Sequence, residues 1–364
     1  MVNEMREREL LDAGCRRLGD TLREGGGFEL VQLAARRSKA AAIWVISSLT
    51  GEVRVVVEAK TAIWPRDVER VAAQLRAYVA EEGADRCLIV APALTQRTRE
   101  LLRRCDIDYL DLRGEVRVAI PGRLLVLAGG EKKRSPDGRS YSRNRIANPF
   151  RGKASRVVRA LLAEPARWWG VIELAERVDV SAGLAVKTLK SLEDEAYVRR
   201  NEDRQVSLSD GEALLRRWAD AARNPFRDAA RFTSSIRDPD ELTAELCKGL
   251  ERLGVAYAIT RLAAARFVEP YAAASVVDAY IDDDPDRLAA ALGYLPVERG
   301  ESLRLVAPPD AGVFQFTERR SGITMVNPVQ LYVDLKRAGG REPDVAERLI
   351  ERRLREGLTS RSEP

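Results

Sequence analysis

The segment from Lys153 to about Leu208 constrains the fold of this chain more than any other. Apolar residues recur there every three or four positions in three successive stretches, which is the spacing of amphipathic helices. Pro165 ends the first stretch, and a tight turn from Asp179 to Ser181 precedes the third, with Ser181 as a helix cap. The pattern predicts helices over residues 154–163, 170–178 and 181–195.

The third predicted helix has an apolar side and a polar side. The apolar side, which we expect to face inward, is formed by Leu184, Val186, Leu189 and Leu192. The polar side, which we expect to face outward, is formed by Lys187, Thr188, Lys190 and Ser191. After this helix, residues 196–208 predict two short strands around a polar turn at 201–203.

Three helices followed by a basic hairpin are the arrangement of a winged helix-turn-helix, a module that binds double-stranded DNA. In such a module the third helix enters the major groove with its N-terminal half nearest the bases, and the hairpin rests on the backbone. The predicted DNA-binding residues are therefore Ser181, Gly183, Lys187, Thr188, Lys190, Arg199, Arg200 and Arg204. The alternative is a module that contacts protein, with its lysines as a solvated face.

A basic segment leads into these helices. Residues 131–159 contain ten basic and two acidic residues, while the whole chain has a net charge of +5. The run begins with Lys132, Lys133 and Arg134, which we predict to neutralise DNA phosphates. A solvated linker is the alternative, and both interpretations hold if the arm becomes ordered only on DNA.

Length and composition limit the remaining possibilities. A chain of 364 residues with 45% hydrophobic and 32% charged residues predicts a multidomain α/β protein with domains at 1–130, 153–223 and 224–364 and a linker at 131–152. The N-terminus is charged and no apolar run approaches the roughly 20 residues of a membrane helix, so we expect a cytoplasmic protein without a membrane partner. The chain has no histidine, which excludes Ser/His and Cys/His catalysis and His-bound zinc.

The first 130 residues alternate between helical and strand patterns. Apolar residues at helical spacing predict a first helix that ends at Gly25. Later apolar runs predict strands at 28–35, 41–48, 52–58, 86–91, 108–112 and 116–127. Further stripes predict helices at 65–82 and 95–104. This order of a helix, three strands, a helix and a strand resembles the restriction-endonuclease-like core.

Two short motifs extend that resemblance. Glu58 and Lys60 match the Glu-x-Lys half of the metal site of that fold, and Gln74 and Tyr78 match the Gln-x-x-x-Tyr element of RecB-type nucleases. The resemblance implies a site that holds Mg²⁺ to activate water. The family's aspartate at the second strand has no counterpart in residues 38–44, so the resemblance implies a degenerate nuclease; Glu9 or Glu29 are the acidic residues that could substitute.

The last 140 residues predict a mixed α/β domain. Strand patterns fall at 255–260, 275–281, 303–306, 313–316 and 323–326, and helical patterns at 239–253, 261–267, 328–337 and 344–355. The carboxylates from Asp278 to Asp286 could hold Mg²⁺ for nucleotidyl transfer or cap a helix that starts near Pro285. We favour the cap, because no Gly-Ser phosphate-binding turn precedes them.

Three segments resemble the AbiEi-type antitoxins, a family of transcriptional regulators in type IV toxin–antitoxin systems. They are residues 327–335 with the following Gly339-Gly-Arg341, residues 258–264, and residues 107–114. The resemblance implies a winged helix that represses its own operon and a C-terminal domain that helps to counteract a nucleotidyltransferase-type toxin. A separate hypothesis is that the domains flanking the winged helix form a homodimer or receive a partner. This chain has Thr260-Arg261 where family members often have Thr-Gly.

The sequence thus predicts a DNA-binding transcriptional regulator that is not an enzyme and needs no cofactor. The alternative is an endonuclease with Mg²⁺ at Glu58 and Lys60, targeted by the winged helix. A third hypothesis is an interaction protein that sequesters a toxin.

Overall fold

The computed structural model describes residues 2–24, 28–33, 42–48, 51–113, 115–120, 124–128, 148–268, 274–354 and 358. The chain is mixed α/β, as predicted. It divides into two compact units, Met1–Tyr141 and Ser142–Pro364. Lys132, Lys133 and Arg134 of the predicted basic arm lie outside the described residues. None of the described helices has both the length and the apolar character needed to cross a membrane.

The first unit contains a sheet whose strands lie side by side in chain order. These strands are β1 (Phe28–Leu33), β2 (Ala42–Ser48), β3 (Gly51–Ala59), β4 (Arg86–Ala91), β5 (Asp108–Asp111), β6 (Val116–Ile120) and β7 (Leu124–Ala128). The helices are α1 (Val2–Glu24), α2 (Val68–Glu82) and α3 (Gln96–Arg104). Strands β3, β4 and β5 run parallel to one another, and the other neighbouring pairs are antiparallel.

Helices cover both faces of this sheet. Successive side chains of a strand point to opposite faces, so the apolar residues of one strand contribute to two cores. Val55 and Val57 of β3 pack in one core with Leu18 of α1. Val56, between them, packs in a second core with Leu75 of α2. Even-numbered residues of β3 therefore face α2, and odd-numbered residues face α1.

The second unit begins with a group of helices and a hairpin. These elements are α4 (Ala154–Ala163), α5 (Val171–Arg177), α6 (Ala182–Asp194), β8 (Val198–Arg200), β9 (Val206–Leu208) and α7 (Gly211–Ala221). Ser181 caps α6 as predicted, since its Oγ accepts a hydrogen bond from the Leu184 N–H at 3.2 Å. Trp169, between α4 and α5, forms a β-bridge with Val206, so the chain before α5 pairs with the hairpin.

A second sheet with its own helices completes this unit. The strands are β10 (Ala230–Thr233), β11 (Tyr257–Thr260), β12 (Val277–Ile281), β13 (Leu295–Pro296), β14 (Leu303–Val306), β15 (Glu318–Arg320) and β16 (Ile323–Met325), in the spatial order β13-β10-β14-β12-β11-β16-β15. The helices are α8 (Pro239–Leu253), α9 (Arg261–Ala265), α10 (Pro285–Leu292), α11 (Pro328–Lys336) and α12 (Glu342–Leu349), followed by a π-helical turn at Ile350–Leu354. Helices α8, α10 and α11 each begin with proline after an Asp or Asn cap.

Two sequence expectations are resolved in this region. Asp284 is the cap of α10, because its Oδ1 accepts a hydrogen bond from the Arg287 N–H at 2.8 Å, so the favoured capping role is confirmed. The predicted strand at 313–316 is wrong, because residues Ala311–Phe314 form a 3-10 turn. The Asp310 carboxylate accepts a hydrogen bond from the Gly312 N–H at 2.8 Å and so starts this turn locally.

One continuous hydrophobic core joins the helices α4 to α7 to the second sheet. Helix α11 packs against both α4 and α7, and Phe226 meets Tyr280 edge-on with ring centroids 5.1 Å apart. The sequence predicts separate domains at 153–223 and 224–364, whereas the structure joins both ranges in one compact unit. The reason is that residues 154–162 of α4 are buried all round, which requires packing partners on every side.

Candidate functional site

Helix α6 presents one side to solvent. Its exposed residues, with those of its cap, recur every three or four positions and are Ser181, Ala182, Gly183, Val186, Lys187 and Lys190. The opposite side, formed by Ala185, Leu189 and Leu192, is buried in the core. The structure therefore brings Ser181, Gly183, Lys187 and Lys190, which the sequence predicts as DNA contacts, onto one exposed side.

Thr188 lies on the buried side of α6, so its prediction as a DNA contact is wrong. Its side chain is 0% exposed, and its Oγ1 donates a hydrogen bond to the Leu184 carbonyl oxygen at 2.8 Å. Ser191 is buried as well. Each residue advances about 100° around a helix, so Thr188 falls in line with the buried Ala185 and Leu192.

Val186 lies on the exposed side, opposite to the prediction. Its side chain is 47% exposed. It falls one turn after Gly183 and one turn before Lys190, so it occupies the middle of the outward side. The sequence pattern alone places a valine inward, because apolar side chains are usually buried.

Lys187 and Lys190 form no ion pair with any other residue that the structure describes. Ser181 caps the helix through the N–H of Leu184, and the first turn of α6 is otherwise exposed. The N-terminal end of a helix carries partial positive charge and backbone N–H groups that bind anions. The outward side of α6 is therefore electropositive along its length.

Arg156 and Arg159 do not belong to this surface, although they lie within the basic run predicted to neutralise phosphates. They are 7% and 4% exposed, respectively. Arg156 is bound by Asp179 and Asp310, and Arg159 is bound by Gln330. The basic surface of the run is therefore smaller than its charge count indicates.

The β8–β9 hairpin is held against the rest of the unit. The N–H and carbonyl groups of Trp169 and Val206 exchange two hydrogen bonds of 2.9 Å. The Arg199 guanidinium lies over the Trp168 ring, 5.3 Å from its centroid. These contacts give the hairpin a fixed position next to α5.

The predicted basic residues of the hairpin differ in their availability. Arg200 forms an ion pair with Glu193 of α6 at 3.2 Å, so its charge is partly neutralised within the chain. Arg204 is exposed in the turn and has a left-handed backbone with φ of 60°. Glu202 and Asp203 are also exposed there, so the tip of the hairpin is mixed in charge.

A buried polar network supports α4, on which α6 packs. Arg159 Nη2 donates a hydrogen bond to Gln330 Oε1 of α11, and Gln330 Nε2 donates to Asp334 Oδ1 at 2.7 Å. The guanidinium of Arg159 also lies over the Trp218 ring of α7, 5.1 Å from the centroid. Tyr280 OH donates to Asp334 Oδ1 at 2.9 Å. The network thus links α4, α7, α11 and β12.

Burial dominates the proton affinities in this network. Burial raises the pKa of Asp334 to about 6, although hydrogen bonds from Thr260, Gln330 and Tyr280 favour the charged form. Burial also lowers the pKa of Arg159 to about 10. The network therefore holds a carboxyl group that titrates in a range where an exposed aspartate is fully charged.

Arg156 fixes the turn before α6. Its Nε donates to Asp310 Oδ1 at 2.7 Å, and its Nη1 donates to the Asp179 carboxylate at 2.8 Å and to the Asp179 carbonyl at 3.1 Å. Asp179 has φ of 53°, so this turn adopts a left-handed backbone. A Cβ on Gly312 would lie 2.6 Å from Arg156 Cγ, so only glycine lets the Asp310 loop approach this closely.

Arg261 occupies the position where the resembling family often has glycine, and its φ of 54° lies in the left-handed region that favours glycine. Its side chain is buried and binds the carboxylates of Glu342 and Asp278, the latter at 3.3 Å. Asp278 also accepts a hydrogen bond from Arg304 Nε at 2.7 Å. The buried ion pairs offset the cost of the strained backbone.

The first unit brings the four predicted nuclease residues together. Lys60 Nζ lies 2.7 Å from Glu58 Oε1, and Gln74 Nε2 lies 3.3 Å from the same oxygen. Gln74 Nε2 also donates to Tyr78 OH at 2.9 Å. Glu58 is 8% exposed, and its Oε2 has no hydrogen-bond partner among the described residues.

The acidic residues suggested as substitutes for the missing aspartate lie elsewhere in this unit. Glu9 is on α1, which covers the face of the sheet opposite to Glu58. Glu29 aligns through Ser47 with Glu52, which is six residues from Glu58 and thus about 20 Å along the strand. The suggestion that either completes the site is therefore wrong.

The described part of the Glu58 cluster offers few ligands for Mg²⁺. Mg²⁺ takes an octahedral set of oxygen ligands, usually one or two carboxylates with waters. Among the described residues the cluster supplies one carboxylate, whose Oε1 is already bound by an ammonium and an amide and whose Oε2 is buried without a hydrogen-bond partner. Lys60 offsets part of the negative charge that would attract a metal ion.

Comparisons with models of protein families, with curated proteins and with solved structures found no match for this chain. The residues that sequence reasoning missed are therefore identified by geometry alone. Arg159 is the main example. The sequence signal for its burial is that both charged residues of α4 are arginines, the residue type that suits buried polar contacts.

Proposed function

We propose that this chain is a DNA-binding transcriptional regulator, an antitoxin-like autorepressor that acts through a winged helix-turn-helix formed by α4 to α6 and the β8–β9 hairpin. The observation that carries the proposal is the outward side of α6, where Lys187 and Lys190 are exposed and unpaired among the described residues. Phosphate oxygens and the O6 and N7 acceptors of guanine are the partners that suit such lysines.

The dimensions of α6 support DNA as the partner. Its 13 residues extend about 20 Å, and an exposed helix of this length fits the major groove, which is about 12 Å wide. Ser181 and Gly183, at its N-terminal end, would lie nearest the base edges. Arg199 and Arg204 of the hairpin would face the backbone.

Regulation by this surface needs no covalent step, because reversible occupancy of a promoter blocks transcription. The basic arm that begins with Lys132, Lys133 and Arg134 would add phosphate contacts. The resemblance to the AbiEi-type antitoxins extends the proposal to a nucleotidyltransferase-type toxin as partner. The proposal also includes a homodimer formed by the domains that flank the winged helix.

A gel-shift titration tests the proposal. Labelled duplex from upstream of the gene is mixed with protein and excess competitor DNA, in Mg²⁺ and in chelator. We expect intact, retarded DNA in both conditions. Lys187→Glu or Lys190→Glu should raise the Kd roughly 5- to 150-fold, the range of one specific base contact of about 1–3 kcal/mol.

Lys248→Glu is the matched control, because Lys248 lies on α8, is 71% exposed and, among the described residues, pairs only with the exposed Glu245. It changes the net charge equally and should leave the Kd within about twofold. Neutralising residues 132–134 should weaken binding to all duplexes equally. It should also reduce the slope of log affinity against log salt concentration by up to about 3. Equal losses in the α6 variants and in Lys248→Glu would contradict the proposal.

The second candidate is a Mg²⁺-dependent endonuclease. The observation in its favour is the meeting of Glu58, Lys60, Gln74 and Tyr78 on one face of the first sheet. The order of β1 to β5, with α1 and α2 on opposite faces, supports a restriction-endonuclease-like core. We rank this candidate second because Lys60 already neutralises Glu58.

The same gel separates the two candidates. Cleavage that requires Mg²⁺ and disappears in Glu58→Ala would establish the endonuclease and overturn the regulator. Intact DNA in Mg²⁺ leaves the first unit as a scaffold or interaction domain.

A further inference from the structure

The middle of the outward side of α6 is apolar. Val186 is 47% exposed, and it lies next to the exposed Lys187, one turn after Gly183 and one turn before Lys190. An isolated exposed valine needs no explanation on an ordinary surface. Here it occupies the centre of the surface that, in the proposed function, faces base edges.

Gly183 leaves the helix backbone uncovered on this surface. A Cβ at this position would meet no atom within 4 Å, and its φ is not positive. Neither packing nor backbone conformation within the described residues therefore requires glycine. Glycine in a helix is less stable than alanine, so its presence is consistent with close approach by an external partner.

The side chains of α6 restrict what the helix can read. The helix contains no Asn, Gln or Arg, so lysine is its one residue type that commonly bonds the guanine O6 and N7 acceptors, and it has no residue suited to adenine. Its outward side offers two ammonium groups, the hydroxyl of Ser181, which caps the helix, and small apolar side chains. In the major groove, the apolar group that DNA presents is the C5-methyl of thymine.

We propose that α6 recognises a thymine through contact of its C5-methyl with Val186, with guanines on the adjacent steps bound by Lys187 or Lys190. This inference rests on the proposed function and adds the chemical class of the recognised base. The two lysines provide charge complementarity to the DNA, and Gly183 lets the helix backbone approach the groove.

Thymine-to-uracil exchange tests the inference, because it removes the methyl group alone. A bound duplex is first selected from a random library, and each thymine is then replaced singly by deoxyuridine. One replacement should weaken binding by the wild-type protein about fourfold to tenfold, the effect of burying one methyl group. Val186→Ala should bind both duplexes equally, with the affinity of the wild type for the uracil duplex.

Leu295→Ala is the control, since Leu295 is an apolar residue of β13 that is 65% exposed. It should retain the full thymine preference, as should Val186→Ile. Circular dichroism should give the same thermal unfolding for Val186→Ala and wild type, because the side chain is not in the core.

The failures of the two proposals are distinguishable. If no duplex is selected or bound, both the DNA-binding function and the thymine contact are overturned. If DNA is bound and lysine variants weaken it, but every uracil duplex binds within twofold of its thymine parent, only the thymine contact is overturned. Persistence of the thymine preference in Val186→Ala has the same consequence.

Discussion

Replacing Gly183 by alanine should change stability and DNA affinity in opposite directions. Gly183 is the second residue of α6, where a Cβ would have no neighbour within 4 Å. Alanine is favoured over glycine in helices by roughly 0.5–1 kcal/mol. Because the added methyl meets nothing in the chain, the variant should gain stability up to that amount.

The expected effect on binding follows from the proposed close approach of DNA to Gly183. A methyl group inserted into a close-packed contact costs about 1–3 kcal/mol. This cost corresponds to an increase in Kd of roughly 5- to 150-fold. The stability gain does not offset it, because the free and bound protein both contain the more stable helix.

Thermal unfolding and a fluorescence titration with labelled duplex measure the two effects. The melting temperature should rise by roughly 1–4 °C for a unit of this size. Gly339→Ala is the control, because a Cβ there also has no neighbour within 4 Å and its residue lies outside α6. A Gly183→Ala variant that binds DNA as tightly as wild type would refute the close approach, and a less stable variant would refute the packing argument.

Three further predictions concern buried groups. The pKa of Asp334 is about 6 in the folded protein, against a reference value of 3.8, so its contribution to stability is present below pH 4 and is lost, by roughly 3 kcal/mol, as the pH rises through 6. Denaturant unfolding of Asp334→Asn should lack this fall in unfolding free energy with rising pH, and an unchanged fall would assign it to other groups. Arg261→Gly and Arg261→Ala should both lower the free energy of unfolding by about 3–5 kcal/mol, because Glu342 stays buried without its partner. The glycine variant should be about 1 kcal/mol more stable than the alanine variant because of the left-handed backbone, and equal stabilities would show that the backbone is not strained. Thr188→Val should leave the Kd for DNA unchanged, since the side chain is 0% exposed. A tenfold loss of affinity would show that Thr188 does contact DNA.

Local patterns in the sequence predict those parts of the structure that depend on near neighbours. The cap at Ser181 is confirmed because a cap involves residues three positions apart. The cap needs no knowledge of the rest of the chain. The meeting of Glu58 and Lys60 with Gln74 is different, because it joins β3 to α2 and is expected only from the resemblance to the restriction-endonuclease-like core.

Features that depend on distant partners could not be predicted in the same way. Arg156 and Arg159 are basic residues in a basic run, and only contacts 154 and 171 residues away, to Asp310 and Gln330, reveal that they are buried. Which residues of α6 face the core cannot be predicted, for the same reason. Whether Val186 or Thr188 faces the core depends on where the surrounding elements pack, which the spacing of apolar residues does not specify.

The shared core of the second unit determines how the exposed helix α6 can be inherited or engineered. Transplanting α4 to α7 into another protein would strip Arg159 of Gln330 and leave a buried guanidinium beside the Trp218 ring without its acceptor. A graft would therefore need α11 as well, together with the Asp310 loop that Gly312 allows to close on Arg156. If α6 reads DNA as proposed, its specificity can change only through point substitutions on its outward side, because the helix cannot be exchanged without its packing partners.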